Sequence, residues 1–126
     1  MALVEQRSPF DCGVAALAMW LHVDYADVYA AAVQLVGRRL KRGLTLHELR
    51  QLAATFARPM TTVHFRRVDI EEDAGVLGVN WHGQSVGHWV VLRRGTIIDP
   101  SRAQVWDADE YLRVHQGRVG SLLTET

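Results

Sequence analysis

Apolar residues in the first part of the chain follow the spacing of buried α-helices. Residues 13–22 are almost entirely apolar and rich in helix formers, which predicts a helix that is buried on most sides. Its start is predicted between Ser8 and Asp11, and either residue has the side chain of an N-terminal cap. A second helix is predicted over residues 24–36, with Gly37 at its end.

The third predicted helix carries the clearest start signal. Thr45 and Glu48 have the spacing of a capping box, in which each side chain binds the backbone N–H of the other. Leu44 and Leu49 flank this box at the spacing of a hydrophobic staple. Pro59 predicts the end of the segment, because proline cannot continue a helix.

The second half of the chain changes to short segments rich in β-branched and aromatic residues, which are typical of strands. Four segments have this pattern: residues 60–65, 75–81, 88–93 and 96–99. A short helix is predicted over residues 107–115, and a last edge strand over residues 120–125. Helices followed by strands predict an α+β fold.

Composition indicates which class of protein this chain belongs to and which classes of partner it does not favour. The chain has 126 residues, 48% of them hydrophobic, so we expect one globular domain over residues 1–126. Basic and acidic residues are equal at 14 each, which is not typical of proteins that bind nucleic acid or anionic membranes. The longest uncharged apolar run, residues 12–23, is shorter than the roughly 20 residues of a membrane span. One cysteine and no signal-peptide pattern predict the cytoplasm.

Cys12 is the only cysteine in the chain, so it cannot form an internal disulfide. A cysteine is a good nucleophile as a thiolate, which a helix N-terminus and a neighbouring histidine both favour. Cys12 lies at the predicted start of the first helix, but Asp11 beside it opposes the effect, so a histidine from elsewhere in the fold is required. A lone cysteine is more often a packing residue, and its partners decide between the two interpretations.

His88 has the position expected of such a partner. It precedes the apolar residues 89–92, typical of a central strand, and a polar side chain at the end of a buried strand needs a partner of its own. If Arg94 and Gly95 form a two-residue turn, the alternation of side chains makes Asp99 the diagonal neighbour of His88 in a hairpin. Asp99 is therefore predicted to orient His88.

Acyl transfer also needs hydrogen-bond donors for the oxyanion that develops on the substrate carbonyl. Gln6 lies six residues before Cys12, close enough along the chain to direct its amide into the same site. The backbone N–H of Cys12, unpaired at the start of a helix, is a second candidate donor. The residues thus predict a nucleophile, a base, an orienting acid and an oxyanion donor, namely Cys12, His88, Asp99 and Gln6.

These motifs resemble a known family. Glutamine, five residues and then Cys-Gly after an aspartate, followed by Gly-His-Trp-Val-Val-Leu and Ile-Ile-Asp-Pro, is similar to the double-glycine leader peptidases. These are papain-like cysteine peptidase domains, often found at the front of bacteriocin-exporting ABC transporters. Residues 42–56 also resemble the family, so the resemblance covers nearly the whole chain. It implies a papain-like fold, with N-terminal helices packed on an antiparallel sheet, and the same four roles for Cys12, His88, Asp99 and Gln6.

Two positions depart from the family pattern. Ala16 stands where many members have a second cysteine, and Trp89 stands where phenylalanine or tyrosine is commoner. Neither change removes a catalytic group. The predicted function is hydrolysis of a peptide bond after small residues such as Gly-Gly, in a cleft flanked by Trp81 and Trp89. The expected partner is a peptide or protein substrate, and an exporter or another protein stays open as a further partner.

Two other functions use the same residues and stay open. An amidase, a deamidase or a transglutaminase-like acyl transferase would keep the triad and change the acceptor. A binding module of the same fold would hold a peptide without turnover, although the presence of Cys12, His88 and Gln6 favours an enzyme. His82 and His88 form no ligand cluster with other residues, so neither a metal nor a cofactor is expected.

Overall fold

The computed structural model describes residues 2–37, 40–81 and 87–126. Helices come first and strands follow, and the elements are α1 (Cys12–Leu21), α2 (Tyr25–Val36), α3 (Leu46–Thr55), β1 (Met60–Val63), a 3₁₀ turn (Phe65–Arg67), β2 (Ala74–Trp81), β3 (His88–Arg93), β4 (Thr96–Asp99), β5 (Gln104–Asp107), α4 (Ala108–Val114) and β6 (Gly117–Glu125). This order confirms the predicted α+β class. Within the described ranges, no helix has the length and apolarity needed to span a bilayer.

The strands of the described residues form one antiparallel sheet in the order β1-β6-β2-β3-β4-β5. The prediction of an edge strand over residues 120–125 is wrong, because β6 pairs with β1 on one side and with β2 on the other. Leu122 and Leu123 of β6 point to opposite faces and are both fully buried, as expected of an internal strand. One edge is instead β5, whose mostly exposed side chains gave no sequence signal for a strand.

Alternate side chains of the sheet pack into two cores, one on each face. Helices α1, α2 and α3 cover the first face, where Val76, Val91 and Leu123 of the strands are buried against them. Helix α4 covers the second face, where Val90 packs in the same core as Tyr111. Because neighbouring residues of a central strand face different cores, both must be apolar, which explains the unbroken apolar run in β3.

The helix starts and the end of α2 agree with the predicted ones, whereas α3 ends at Thr55, ahead of Pro59. In the capping box of α3, the Glu48 N–H donates to the Thr45 hydroxyl at 3.1 Å, and the Thr45 N–H donates to the Glu48 carboxylate at 2.9 Å. Helix α2 ends at Gly37, whose φ of 75° lies in the left-handed region that favours glycine. Asp11 occupies the N-terminal cap position of α1, but its side chain makes no capping hydrogen bond. The Asp11 carboxylate is therefore free for other partners.

Candidate active site

Cys12, His88 and Asp99 converge at one end of the sheet. Cys12 is the first residue of α1, His88 is the first residue of β3, and Asp99 is the last residue of β4. A Cβ atom on Gly13 would lie 3.1 Å from the Trp89 side chain, so the start of the helix touches the start of the strand. Cys12 is buried, and it lines the same cleft as His88.

The predicted hairpin register between β3 and β4 is confirmed. The strands are joined by a two-residue turn, in which Arg94 and Gly95 have φ angles of 43° and 86°. Positive φ angles at both turn residues are typical of the type I′ turn. With this register, His88 Nε2 lies 2.7 Å from Asp99 Oδ1, which is the contact that the alternation of side chains predicts.

The Asp99 carboxylate is buried and accepts hydrogen bonds from three partners. Besides His88, the Ser101 backbone N–H donates to Oδ1 at 2.9 Å, and the Tyr111 hydroxyl donates to Oδ2 at 2.8 Å. Burial alone would raise the pKa of Asp99, but the hydrogen bonds outweigh it and lower the pKa well below its usual range. Asp99 is therefore ionised at neutral pH and fixes the orientation of the His88 ring.

Tyr111 is a residue of this site that sequence reasoning missed. It is fully buried on α4 and reaches Asp99 from the second face of the sheet. Burial and the neighbouring Asp99 charge raise the pKa of Tyr111 well above its usual range, so its hydroxyl stays a donor. Its only sequence signal is an aromatic residue in a short helix, which is also the pattern of an ordinary core residue.

His88 is mostly buried and has a raised pKa. Burial of the ring lowers the pKa, but the hydrogen bond with Asp99 and the interaction with Cys12 outweigh burial and raise the pKa of His88 to about 9. Because Nε2 is bound to Asp99, Nδ1 is the ring nitrogen left for the thiol. An imidazolium that persists at neutral pH favours the thiolate form of a neighbouring cysteine.

Two tryptophans lie close to His88. The Trp81 ring centroid is 4.9 Å from that of His88, and the Trp81 ring stacks on His115 at 5.3 Å. Trp89 lines the cleft beside the site, and its indole N–H donates to the Leu44 carbonyl at 2.8 Å. Trp89 therefore flanks the cleft as predicted, whereas Trp81 packs against the His88 ring and supports it from the side.

An open cleft of about 460 Å³ extends from Cys12 and His88. Its described lining comes from residues 42–46, which lead into the first residue of α3, and from strands β2, β3 and β6. The pairing of β2 with β6 shifts by one residue here, which is the mark of a β-bulge. A Cβ atom on Gly120 would lie 2.9 Å from the Gly78 carbonyl oxygen, so only glycine fits without a shift of the neighbouring strand.

Gln6 lies beside the Asp99–Pro100 segment, but its amide is bound to the chain before Cys12. The Gln6 backbone N–H donates to the Pro100 carbonyl at 2.7 Å, and Nε2 donates to the Ser8 carbonyl at 2.9 Å. Gln6 Oε1 is buried and has no hydrogen-bond partner among the described residues. The bond to Ser8 uses one of the two Nε2 protons, so the other is left for a further acceptor. Gln6 is not among the residues that line the cleft.

The groups brought together are a thiol, an imidazole and a carboxylate, which can carry out acyl transfer through a thioester. His82, considered above as a metal ligand, lies outside the described residues. In the part of the chain that the structure describes, no group of three or more His, Cys, Asp or Glu side chains is arranged to hold a metal ion.

We expect Cys12 to react with iodoacetamide at pH 6 faster than a free model thiol, because His88, with its pKa near 9, stays protonated there. The advantage over the model thiol should grow as the pH falls from 8 to 6, since the model thiol loses its thiolate while the imidazolium persists. Alkylation is measured by mass spectrometry. His88→Ala should slow it, and His47→Ala, which changes an exposed histidine on α3, should not. Equal rates for all proteins and the model thiol would make Cys12 an ordinary cysteine.

Comparison with known proteins supports the fold. No protein-family model and no curated protein matches the chain. Among solved structures, the chain is similar to the peptidase domain of Streptococcus ComA, a bi-functional ABC transporter involved in a quorum sensing pathway. The TM-score is 0.66 and the identity 18%, over 98% of this chain and 96% of that one. It is also similar to a double glycine motif protease from an AMS/PCAT transporter, in complex with the leader peptide. Here the TM-score is 0.64 and the identity 19%, over 98% of this chain and 89% of that one.

The chain therefore has the fold of double-glycine peptidase domains. Helices packed on a six-stranded antiparallel sheet are common to this chain and the two neighbours, which confirms the predicted papain-like α+β architecture. The resemblance inferred from the sequence motifs is thus matched by a resemblance in three dimensions.

Proposed function

We propose that this chain is a cysteine peptidase that hydrolyses a peptide bond, with Cys12 as nucleophile, His88 as base and acid, and Asp99 as the residue that orients His88. The observation that carries the proposal is that Cys12 and His88 meet in one cleft, where His88 Nε2 lies 2.7 Å from the buried Asp99 carboxylate and Cys12 contributes to the raised pKa of His88. Cys12 enters this arrangement as the first residue of a helix, where a thiolate is favoured. The fold that holds it is shared with two peptidase domains.

In the first half of the proposed reaction, the Cys12 thiolate attacks the carbonyl carbon of the substrate, and the carbonyl π electrons move to the oxygen. The Cys12 backbone N–H and the Gln6 amide donate to this oxyanion. His88 then gives its Nδ1 proton to the departing amine as the C–N bond breaks. The products of this half are a free amine and a thioester on Cys12.

In the second half, neutral His88 takes a proton from water, and the resulting hydroxide attacks the thioester carbonyl. The C–S bond breaks, the acid product leaves, and the Cys12 thiolate is restored opposite the His88 imidazolium. Asp99 stays ionised throughout, because its role is to hold the His88 ring and to stabilise its positive charge.

Small residues before the cleaved bond are the proposed specificity. Trp89 lines the cleft and is fixed by its hydrogen bond to Leu44, so it cannot easily move away from a bulky substrate side chain. Even a Cβ atom on Gly78 would lie 3.1 Å from the Trp89 ring, which indicates how little free space surrounds this wall. The AMS/PCAT protease is described in complex with its leader peptide, and we propose a peptide substrate here as well.

A peptide whose recognised half ends in Gly-Gly should be cleaved after the second glycine. The same peptide with leucine in place of that glycine should be poorer by at least about 10-fold in kcat/KM, because one misfitted side chain costs on the order of 1–3 kcal/mol. Cleavage is followed by mass spectrometry, with the Cys12→Ala variant as the blank. Equal cleavage of the two peptides would contradict the narrow cleft.

The same experiment separates the two other functions. Release of ammonia from a glutamine-containing substrate without peptide cleavage would favour a deamidase or an acyl transferase on the same triad. Equal binding of intact peptide by the wild type and by Cys12→Ala, with no cleavage by either, would favour a binding module.

A further inference from the structure

Asp11, the residue before the proposed nucleophile, has a carboxylate that is fully buried and is not explained by the triad. It holds the cap position of α1 without capping the helix. Its oxygens instead turn back along the chain. Oδ2 accepts the Arg7 backbone N–H at 2.9 Å, and Oδ1 accepts the Ser8 N–H at 2.9 Å and the Ser8 hydroxyl at 3.3 Å. A buried carboxylate is thus satisfied by the segment that leads from Gln6 to Cys12.

Ser8 connects this carboxylate to Gln6. The Ser8 N–H donates to Asp11, and the Ser8 carbonyl accepts the Gln6 amide Nε2 at 2.9 Å. Because Gln6 Oε1 has no partner among the described residues, the bond to Ser8 is the contact that sets the orientation of the amide. The Gln6 backbone is held from the other side by Pro100. The position of the Gln6 side chain therefore depends on where Asp11 holds Ser8.

Tyr25 attaches Asp11 to the second helix. The Tyr25 hydroxyl donates a hydrogen bond to Asp11 Oδ2 from the first turn of α2. The Arg7 guanidinium lies 4.2 Å from the centre of the Tyr25 ring, so the same loop is held by a cation–π contact as well. Burial and the hydrogen bond to Asp11 raise the pKa of Tyr25 well above its usual range, which keeps the hydroxyl a donor.

We propose that Asp11 is a positioning residue for the oxyanion side of the site, which holds Ser8 and through it the Gln6 amide, and that Tyr25 locks Asp11 to α2. The inference rests on the proposed peptidase function and assigns two residues that lie outside the triad. The inference divides the site into a half around His88 and a half around the oxyanion donors, and different residues hold each half in place. Asp99 and Tyr111 support His88, whereas Asp11 and Tyr25 support the donors of the oxyanion.

Two reactions of the Cys12 thiol test the two halves of the site separately. Peptide hydrolysis passes through an oxyanion, whereas alkylation by iodoacetamide does not. Tyr25→Phe removes one hydroxyl and keeps the ring, so it should lower kcat for the Gly-Gly peptide by about 10-fold, with KM little changed. Its alkylation rate should stay within about 2-fold of the wild type, because the triad is intact. Asp11→Asn places an amide N–H against the donors of the loop and should lower kcat further, by about 100-fold.

Tyr29→Phe is the matched control. Tyr29 stacks on Tyr25 at 5.8 Å between ring centres, and its hydroxyl has no hydrogen bond to any described residue. This variant should cleave at the wild-type rate. In a Gln6→Ala background, Tyr25→Phe should cost no more than about 2-fold in kcat, because residues that act through one another are not additive.

Three results would overturn the inference. One is wild-type kcat in Tyr25→Phe, and another is a fall in alkylation as large as the fall in hydrolysis. The third is that Tyr25→Phe lowers kcat in the Gln6→Ala background by as large a factor as it does in the wild type. If the wild type cleaves the Gly-Gly peptide and one of these results is found, only this inference fails. If the wild type cleaves no peptide and is not trapped by a Gly-Gly aldehyde, the inference fails together with the proposed function.

Discussion

Replacing Cys12 with alanine is expected to abolish peptide cleavage, with a loss of at least about 10⁴-fold in kcat. Cys12 is the only cysteine of the chain, so no other thiol can take over the attack. Alanine is a good helix former and fits the buried start of α1, so the fold is expected to persist. Cleavage of the Gly-Gly peptide is measured by mass spectrometry, and circular dichroism checks the fold.

A companion variant and a control define this result. His88→Ala should lose a comparable factor, and the double variant should be no worse than either single one, because the thiolate and its imidazolium act as one unit. His47→Ala removes an exposed histidine of α3 and should cleave as the wild type does. A Cys12→Ala protein that retains cleavage within about 10-fold of the wild type would contradict the proposed nucleophile.

Gln6→Ala is expected to lower kcat by about 10²–10³-fold, the usual scale for the loss of one oxyanion donor. Alanine keeps the backbone N–H that donates to Pro100, so the segment should stay attached beside the Asp99 turn. It removes the buried Oε1 that has no partner among the described residues, so little stability should be lost. The two quantities to measure are kcat on the Gly-Gly peptide and the midpoint of urea unfolding.

Gln51→Ala is the matched control for Gln6→Ala, because Gln51 is an exposed glutamine on α3. It should change neither quantity. Alkylation of Cys12 should also be unchanged in Gln6→Ala, since that reaction needs no oxyanion donor. A large fall in the unfolding midpoint together with an unchanged kcat would show that Gln6 is structural.

Features that depend on neighbouring residues could be predicted from the sequence. The capping box of α3 and the two-residue turn at Arg94 and Gly95 each need only a few positions, and both are present. The turn alone fixes the hairpin register, which is why the contact between His88 and Asp99 could be derived before the structure. Local rules are sufficient where the partner is a few residues away.

Features that depend on distant partners could not be predicted in this way. The position of β6 inside the sheet follows from its pairing with β1, about 60 residues earlier, and no local pattern encodes that pairing. Tyr111 has the sequence pattern of a core residue, and only the packing of α4 on the second face brings its hydroxyl to Asp99. Asp11 was a candidate cap by its position, but the loop before it and Tyr25 compete successfully for its carboxylate.

The place of β6 between β1 and β2 has a consequence during synthesis on the ribosome. Among the described strands, β1 pairs only with β6, so it emerges long before its partner. The roughly 50 residues between Val63 and Gly117 take on the order of 3–10 s to translate. During that time, α3 can cover one face of β1, but both hydrogen-bonding edges of the strand stay open to other nascent chains. The speed of translation therefore sets how long this chain is exposed to mispairing.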